Sequence, residues 1–110
     1  MENGKNVHDG HKARLRQKAL KDIDILQPHE ILELILSYSN IRQNTNPIAH
    51  RLLEKYGSVA NVLNADIASL SKVEGVGKAT AELLVLMPKL FAVYNQSMLD
   101  KYSRIDNLSE

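Results

Sequence analysis

The sequence predicts an all-α domain, a compact orthogonal bundle of five to six short helices. Three observations point there. Strict apolar–polar alternation is absent and aromatics are scarce, with four Tyr, one Phe and no Trp, so strand signals are poor. Apolar residues recur instead at three- and four-residue steps. Proline, glycine and small polar residues then cut these stretches into short lengths.

Taken in order, the first helix is expected over about 11–21, with Leu15 and Ala19 four apart and bases on its other faces. Residues 22–27 form a short connection containing Ile23, Ile25 and Leu26. Pro28 suits a first helical position, where its missing amide would be unpaired anyway, and Glu30 suits the positive first turn. Ile31, Leu32, Leu34, Ile35, Leu36 and Tyr38 make this second helix the buried centre. Residues 39–44 are polar punctuation. Asn46 and Pro47 read as the cap and first residue of a third helix striped by Ile48, Leu52, Leu53 and Tyr56. Gly57 ends it in a left-handed conformation. Ser58 can cap a short helix with Val59, Val62 and Leu63, and Asp66 another with Ile67 and Leu70.

The turn Gly75-Val76-Gly77 leads into the longest stretch, from about Lys78 to Asn95 or beyond. Pro88 lies inside it and is expected to kink it, because its ring excludes the bond to the Leu84 carbonyl. Met98, Tyr102, Ile105 and Leu108 recur at helical spacing. Residues 97–110 are therefore a helix extension, a frayed tail, or an apolar face that docks on something else.

Composition bounds the function. The 110 residues and 12.4 kDa suit one domain, and 44% hydrophobic with 25% charged residues is ordinary for a folded soluble chain. The absence of cysteine excludes disulfides, zinc–thiolate sites and iron–sulfur clusters. No apolar run approaches the roughly 20 residues of a membrane span, and the N-terminus is too polar for a secretory leader, so a cytoplasmic location is expected. The net charge of +1 is uneven. Lys5, Lys12, Arg14, Arg16, Lys18 and Lys21 stand against the single acid Asp9, which is either a phosphate-contacting surface or an ordinary solvated helix face.

The informative stretch is residues 70–84, which read apolar-x-x-apolar-x-Gly-apolar-Gly-x-x-x-Ala-x-x-apolar. It resembles the helix-hairpin-helix motif, and the resemblance implies contact with nucleic-acid backbone without sequence reading. The residues support it independently. Glycines permit positive φ and close approach, turn amides ahead of a helix form an anion site, Val76 would plug the core, and Ala81 would let the helices cross closely. Two departures weaken it: Glu74 stands where such hairpins often carry proline, and Ala79 where they often carry a base. Glu74 beside a phosphate would cost about 1 kcal/mol at an exposed site, with Lys72 and Lys78 compensating.

The resemblance extends further. Residues 10–16 (Gly-His-Lys-Ala-Arg-Leu-Arg), 29–36 (His-Glu-Ile-Leu-Glu-Leu-Ile-Leu), 45–53 with 56–58, and the hairpin follow in order. Together they are similar to the N-terminal helical domain of the RadC-like family, bacterial proteins labelled as DNA repair proteins. The resemblance implies a domain over 10–96 with the hairpin at about 66–84, a flexible segment over 1–9 and an extension or tail over 97–110. In that family a metal-dependent JAB-type hydrolase domain with a His-x-His-Pro run follows. No His-x-His occurs here, so the hydrolase activity does not transfer.

Other chemistry is poorly supplied. His8 and His11 lie three apart without an evident third metal ligand. His29 reads as a first-turn residue bonded to a side chain or solvent, and His50 as surface. Asp22 with Asp24, and Glu30 with Glu33, read as solvated acids rather than an acid–base pair. Neither a P-loop nor a dinucleotide fingerprint is present. The expectation is a non-enzymatic module that needs no cofactor or metal and binds DNA backbone through Lys72, Gly75, Val76, Gly77, Lys78 and Ala79, with Lys12, Arg14 and Arg16 of the first helix extending the contact. The rival reading is a protein-interaction or regulatory module that docks on a JAB-type domain or another subunit.

Overall fold

The caps at Ser58 and Asp66 and the stop at Gly57 fall where the sequence places them, and packing then decides how far each helix runs. The computed structural model describes the backbone of residues 4–109 and the side chains of residues 9–104. The elements are α1 (Gly4–Lys21), a 3-10 turn (Ile23–Ile25), α2 (Pro28–Ser39), α3 (Thr45–Tyr56), α4 (Val59–Leu63), α5 (Ile67–Leu70) and α6 (Lys78–Ser109). The described residues are all helix and turn, and no strand occurs among them.

The side chains of Lys5, His8, Ile105 and Leu108, read above from spacing alone, lie outside the described residues. α1 starts at Gly4, earlier than the expected position near His11. α3 begins one residue before Asn46: the cap is Asn44, whose side chain accepts from the Asn46 amide. Ser58 and Asp66 cap α4 and α5 as expected, accepting from the amides of Asn61 and Ser69. Gly57 ends α3 with φ +90°. α6 is one helix of 32 residues that continues through Pro88, because a proline inside a helix removes one hydrogen bond while the neighbouring bonds still hold the turn.

The core gathers Leu32 and Leu36 of α2, Ile48, Ala49 and Leu52 of α3, Val62 of α4, Leu70 of α5, and Val73, Val76, Ala81 and Leu84 of the last hairpin. α2 is the centre, lying against α1, α3, α4 and α6. Ala81 is completely buried where α6 enters the bundle, and an alanine there permits the close crossing its size suggested. Beyond Pro88, α6 leaves the core, and none of its described side chains is buried.

α1 is attached by polar contacts as much as by Leu15. His11 Nε2 donates to Glu33 Oε1 at 3.0 Å, and Lys18 pairs with Glu30 at 3.2 Å. Glu33, read as a solvated acid, is only 1% exposed. Its other oxygen accepts from Asn46 Nδ2 at 3.2 Å, and His29 Nε2 stands 3.9 Å away. A buried carboxylate is tolerable because its oxygens are met in this way. His50 is exposed and stacks on His29, with ring centroids 4.7 Å apart.

Candidate nucleic-acid interface

The last hairpin joins α5 to α6 through residues 71–77, and its two glycines do different work. Gly75 has φ +94°. A Cβ there would also come within 2.7 Å of Ile48 Cγ1, so both backbone conformation and packing demand glycine. Gly77 has no positive φ, and a Cβ on it would meet nothing within 4 Å. The expectation that both glycines supply positive φ and close approach therefore holds for Gly75 alone. Gly77 instead occupies the cap position of α6, its carbonyl accepting from the Ala81 amide at 2.9 Å.

That position has a chemical consequence. α3, α4 and α5 each cover a first-turn amide with a side-chain cap, and in α2 Glu30 reaches back to the Gln27 amide at 2.9 Å. α6 begins with a residue that has no side chain to offer. Among the hydrogen bonds of the described residues, none uses the amides of Gly75, Gly77, Lys78, Ala79 or Thr80. Of these residues Gly77, Lys78 and Ala79 are exposed, at the positive end of a long helix, whereas Thr80 is buried. Val76 differs: its amide donates to the Val73 carbonyl at 3.0 Å, and its side chain is buried. It is the expected core plug, but it has no free donor.

A second hydrogen-bond set holds the hairpin from below. Asn40, at the end of α2, donates through Nδ2 to the Gly75 carbonyl at 3.0 Å, and its Oδ1 accepts from the buried Thr80 hydroxyl. Arg51 of α3 donates to the Glu74 carbonyl at 3.1 Å. The carbonyls of Glu74 and Gly75 are thus satisfied by side chains of the neighbouring helices.

The cations near the hairpin and on α1 fall into three groups. An open cleft of about 420 Å³ lies between residues 39–43 and residues 77–80, and Arg42 and Lys78 are its bases. Lys72 lines a different cleft, with Arg51, Lys55, Glu54 and Glu74. Glu74 lines the Lys72 cleft and a further one with Gly75, and does not line the cleft formed by residues 77–80. The third group is α1, and here the reading changes. Lys12 is 5% exposed and donates to the carbonyls of Asn40 and Ile41 at 2.8 and 2.7 Å. Burial lowers its pKa, with Asp9 opposing and Arg16 adding to the shift. Arg16 binds the Ser37 hydroxyl and carbonyl at 3.2 and 2.8 Å and lies 4.2 Å over the Tyr38 ring. Lys12 is not available to a phosphate, because it completes the C-terminal end of α2, and half-buried Arg16 has part of its guanidinium engaged at the same helix end. Arg14 alone of the three proposed α1 contacts is exposed.

Arg42 is the residue that the sequence reading missed. It lies in a polar connection with no motif around it, and only the packing of α2 against α6 sets it across from the hairpin. Asn40 and Thr80 were missed for the same reason, since their bond spans forty residues.

Comparison with known proteins supports this architecture. Residues 47–86 match the family model described as a SAM-like helix-hairpin-helix tandem. The chain contains a helix-hairpin-helix domain, and the match extends over α3 and α4 as well as the last hairpin. The first hairpin of the tandem turns at Gly57, but Ser58 caps α4, so the two hairpins differ in free donors. Over 100 residues the chain is 37% identical to a UPF0758 protein of Fusobacterium nucleatum subsp. nucleatum, covering 90% of this chain and 43% of that protein. This agrees with a RadC-like helix-hairpin-helix region, and the chain spans less than half the length of that relative. No solved structure matches the chain.

Among the described residues, no group of three or more histidine and acidic side chains is arranged to hold a metal ion. Among the described residues, no helix is long and apolar enough to cross a membrane.

Proposed function

We propose that this domain is a non-sequence-specific DNA-binding module that holds sugar–phosphate backbone at the start of α6. The uncapped amides of Gly77, Lys78 and Ala79 carry the reading: they form the one helix start among α2–α6 without a capping side chain or reaching glutamate, and they belong to a helix-hairpin-helix domain. Lys78 and Arg42 add charge within the same cleft, and Lys72 adds it from the neighbouring one. Contacts of this kind position a duplex or strand without reading bases. The module acts as an accessory to DNA repair or processing, alongside a JAB-type hydrolase domain, and performs no catalysis itself. The family resemblance supports that setting, as does a relative more than twice as long as the matched region.

Fluorescence anisotropy with labelled single- and double-stranded oligonucleotides tests the proposal. Two to four neutralised phosphates give a log–log salt slope of about −2 to −4. Replacing both Arg42 and Lys78 with Glu should weaken binding at least about tenfold at low salt. Absence of salt-sensitive binding to either form rejects the proposal. Binding that ignores both substitutions moves the site away from this cleft.

A further inference from the structure

We propose that Asn40 is a positioning residue for DNA, one that locks in place the segment carrying the uncapped amides of Gly77, Lys78 and Ala79. The inference rests on the reading of the α6 start as the DNA site. Asn40 closes α2 and is buried. Its side-chain amide has two donor and two acceptor positions, and all four are used. Nδ2 donates to the Gly75 carbonyl at 3.0 Å and to Gln43 Oε1, while Oδ1 accepts from Ser39 Oγ at 2.9 Å and from Thr80 Oγ1. The Gly75 carbonyl and the Thr80 hydroxyl stand on either side of residues 77–79 in the chain. One side chain therefore grips both ends of the segment.

The grip has a firm base and a fixed sense. The Asn40 backbone amide donates to the carbonyl of fully buried Leu36 at 2.8 Å, and its carbonyl accepts from buried Lys12 at 2.8 Å. The Gly75 carbonyl can only accept, so a reversed side chain would set oxygen against oxygen. Among the described residues, the other side-chain bond to this loop's backbone is that of Arg51 to Glu74, which is exposed and holds one end only. With every position taken, the Asn40 side chain has no donor left for a phosphate, and it acts through the loop. Donors held in place before binding spare the complex the cost of ordering them. A cradle in place one tenth of the time binds about tenfold more weakly.

The test joins nitrogen-15 relaxation of the free 110-residue chain to anisotropy with a labelled oligonucleotide. Amide order parameters at Gly75, Gly77, Lys78 and Ala79 are expected near about 0.85 in the wild type and below about 0.6 in Asn40→Ala. That variant should bind DNA about tenfold more weakly at low salt. Its salt slope keeps the wild-type value because no cation is removed, whereas Lys78→Glu makes the slope shallower. Should Asn40→Ala lose its fold by circular dichroism, Thr80 decides. Thr80→Val keeps the shape and removes the hydroxyl, and is expected to loosen the same amides and weaken binding by about threefold or more. Thr80→Ser keeps the hydroxyl and is expected to restore both. A folded Asn40→Ala chain that binds like the wild type, or whose loop keeps its order, overturns the role of Asn40 and leaves the DNA reading standing. So does a Thr80→Ser chain that behaves like Thr80→Val. A wild-type chain without salt-sensitive binding rejects the DNA reading itself, and this inference with it.

Discussion

At the scale of single residues, the two glycines of the last hairpin separate folding from binding. Gly75→Ala must force φ +94° on an alanine and press its Cβ against Ile48. Strain and overlap together are expected to cost about 3 kcal/mol, read as a lowered urea midpoint. Gly77→Asp meets no such obstacle, and capping α6 changes stability favourably by a few tenths of a kcal/mol. The same carboxylate covers the first-turn amides and repels phosphate, so DNA affinity should fall about tenfold or more while the urea midpoint holds. A variant that binds DNA normally would show that those amides are not the contact.

Lys12 makes the complementary case. Lys12→Met leaves the carbonyls of Asn40 and Ile41 without their donor, and a loss of about 2 kcal/mol is expected by denaturant titration, with no change in salt slope in whatever remains folded. Glu30 sets an acid limb. The Gln27 amide and Lys18 hold its carboxyl below the usual 4.5, against a smaller opposing effect of burial. Because the folded value is depressed, this contribution is complete above pH 4.5 and disappears as pH falls through the folded value. Glu30→Gln should therefore lower stability near neutrality and flatten its decline between about pH 5 and pH 3.

At the scale of elements, α1 is where charge alone misleads. A basic helix on a nearly neutral body suggests a nucleic-acid face, yet Lys12, Arg16 and Lys18 all turn toward α2. They supply donors to a helix end and a partner to a carboxylate. Local sequence could not reveal this, because the acceptors lie up to 29 residues away. α6 was read more directly, since the glycine-bounded turn before Lys78 already marked turn amides ahead of a helix as an anion site. Arg14→Glu is accordingly expected to change DNA affinity less than Lys78→Glu in the same salt titration, a comparison that weighs α1 against the hairpin.

At the scale of the whole molecule, α6 joins two regimes. Up to Pro88 it closes the core; afterwards it carries apolar side chains that nothing within the described chain covers. Truncation after Lys89 is expected to leave the unfolding free energy, from urea titration, within about 0.5 kcal/mol, since no described core residue is removed. A larger loss would mean that the arm folds back on the bundle in solution.

What the sequence by itself determined is the all-α class, the positions of the caps at Ser58 and Asp66, the buried α2 and the hairpin with Val76 and Ala81 inward. These follow from short-range rules: periodicity selects the helices, and caps and glycines end them. Only the tertiary structure decided which donors remain free. Whether Lys12 or Arg42 faces a phosphate depends on acceptors brought close by packing, and neither pattern nor charge counts carry that information. A polar group's function is set by which neighbour satisfies it, and that neighbour is usually distant in the chain.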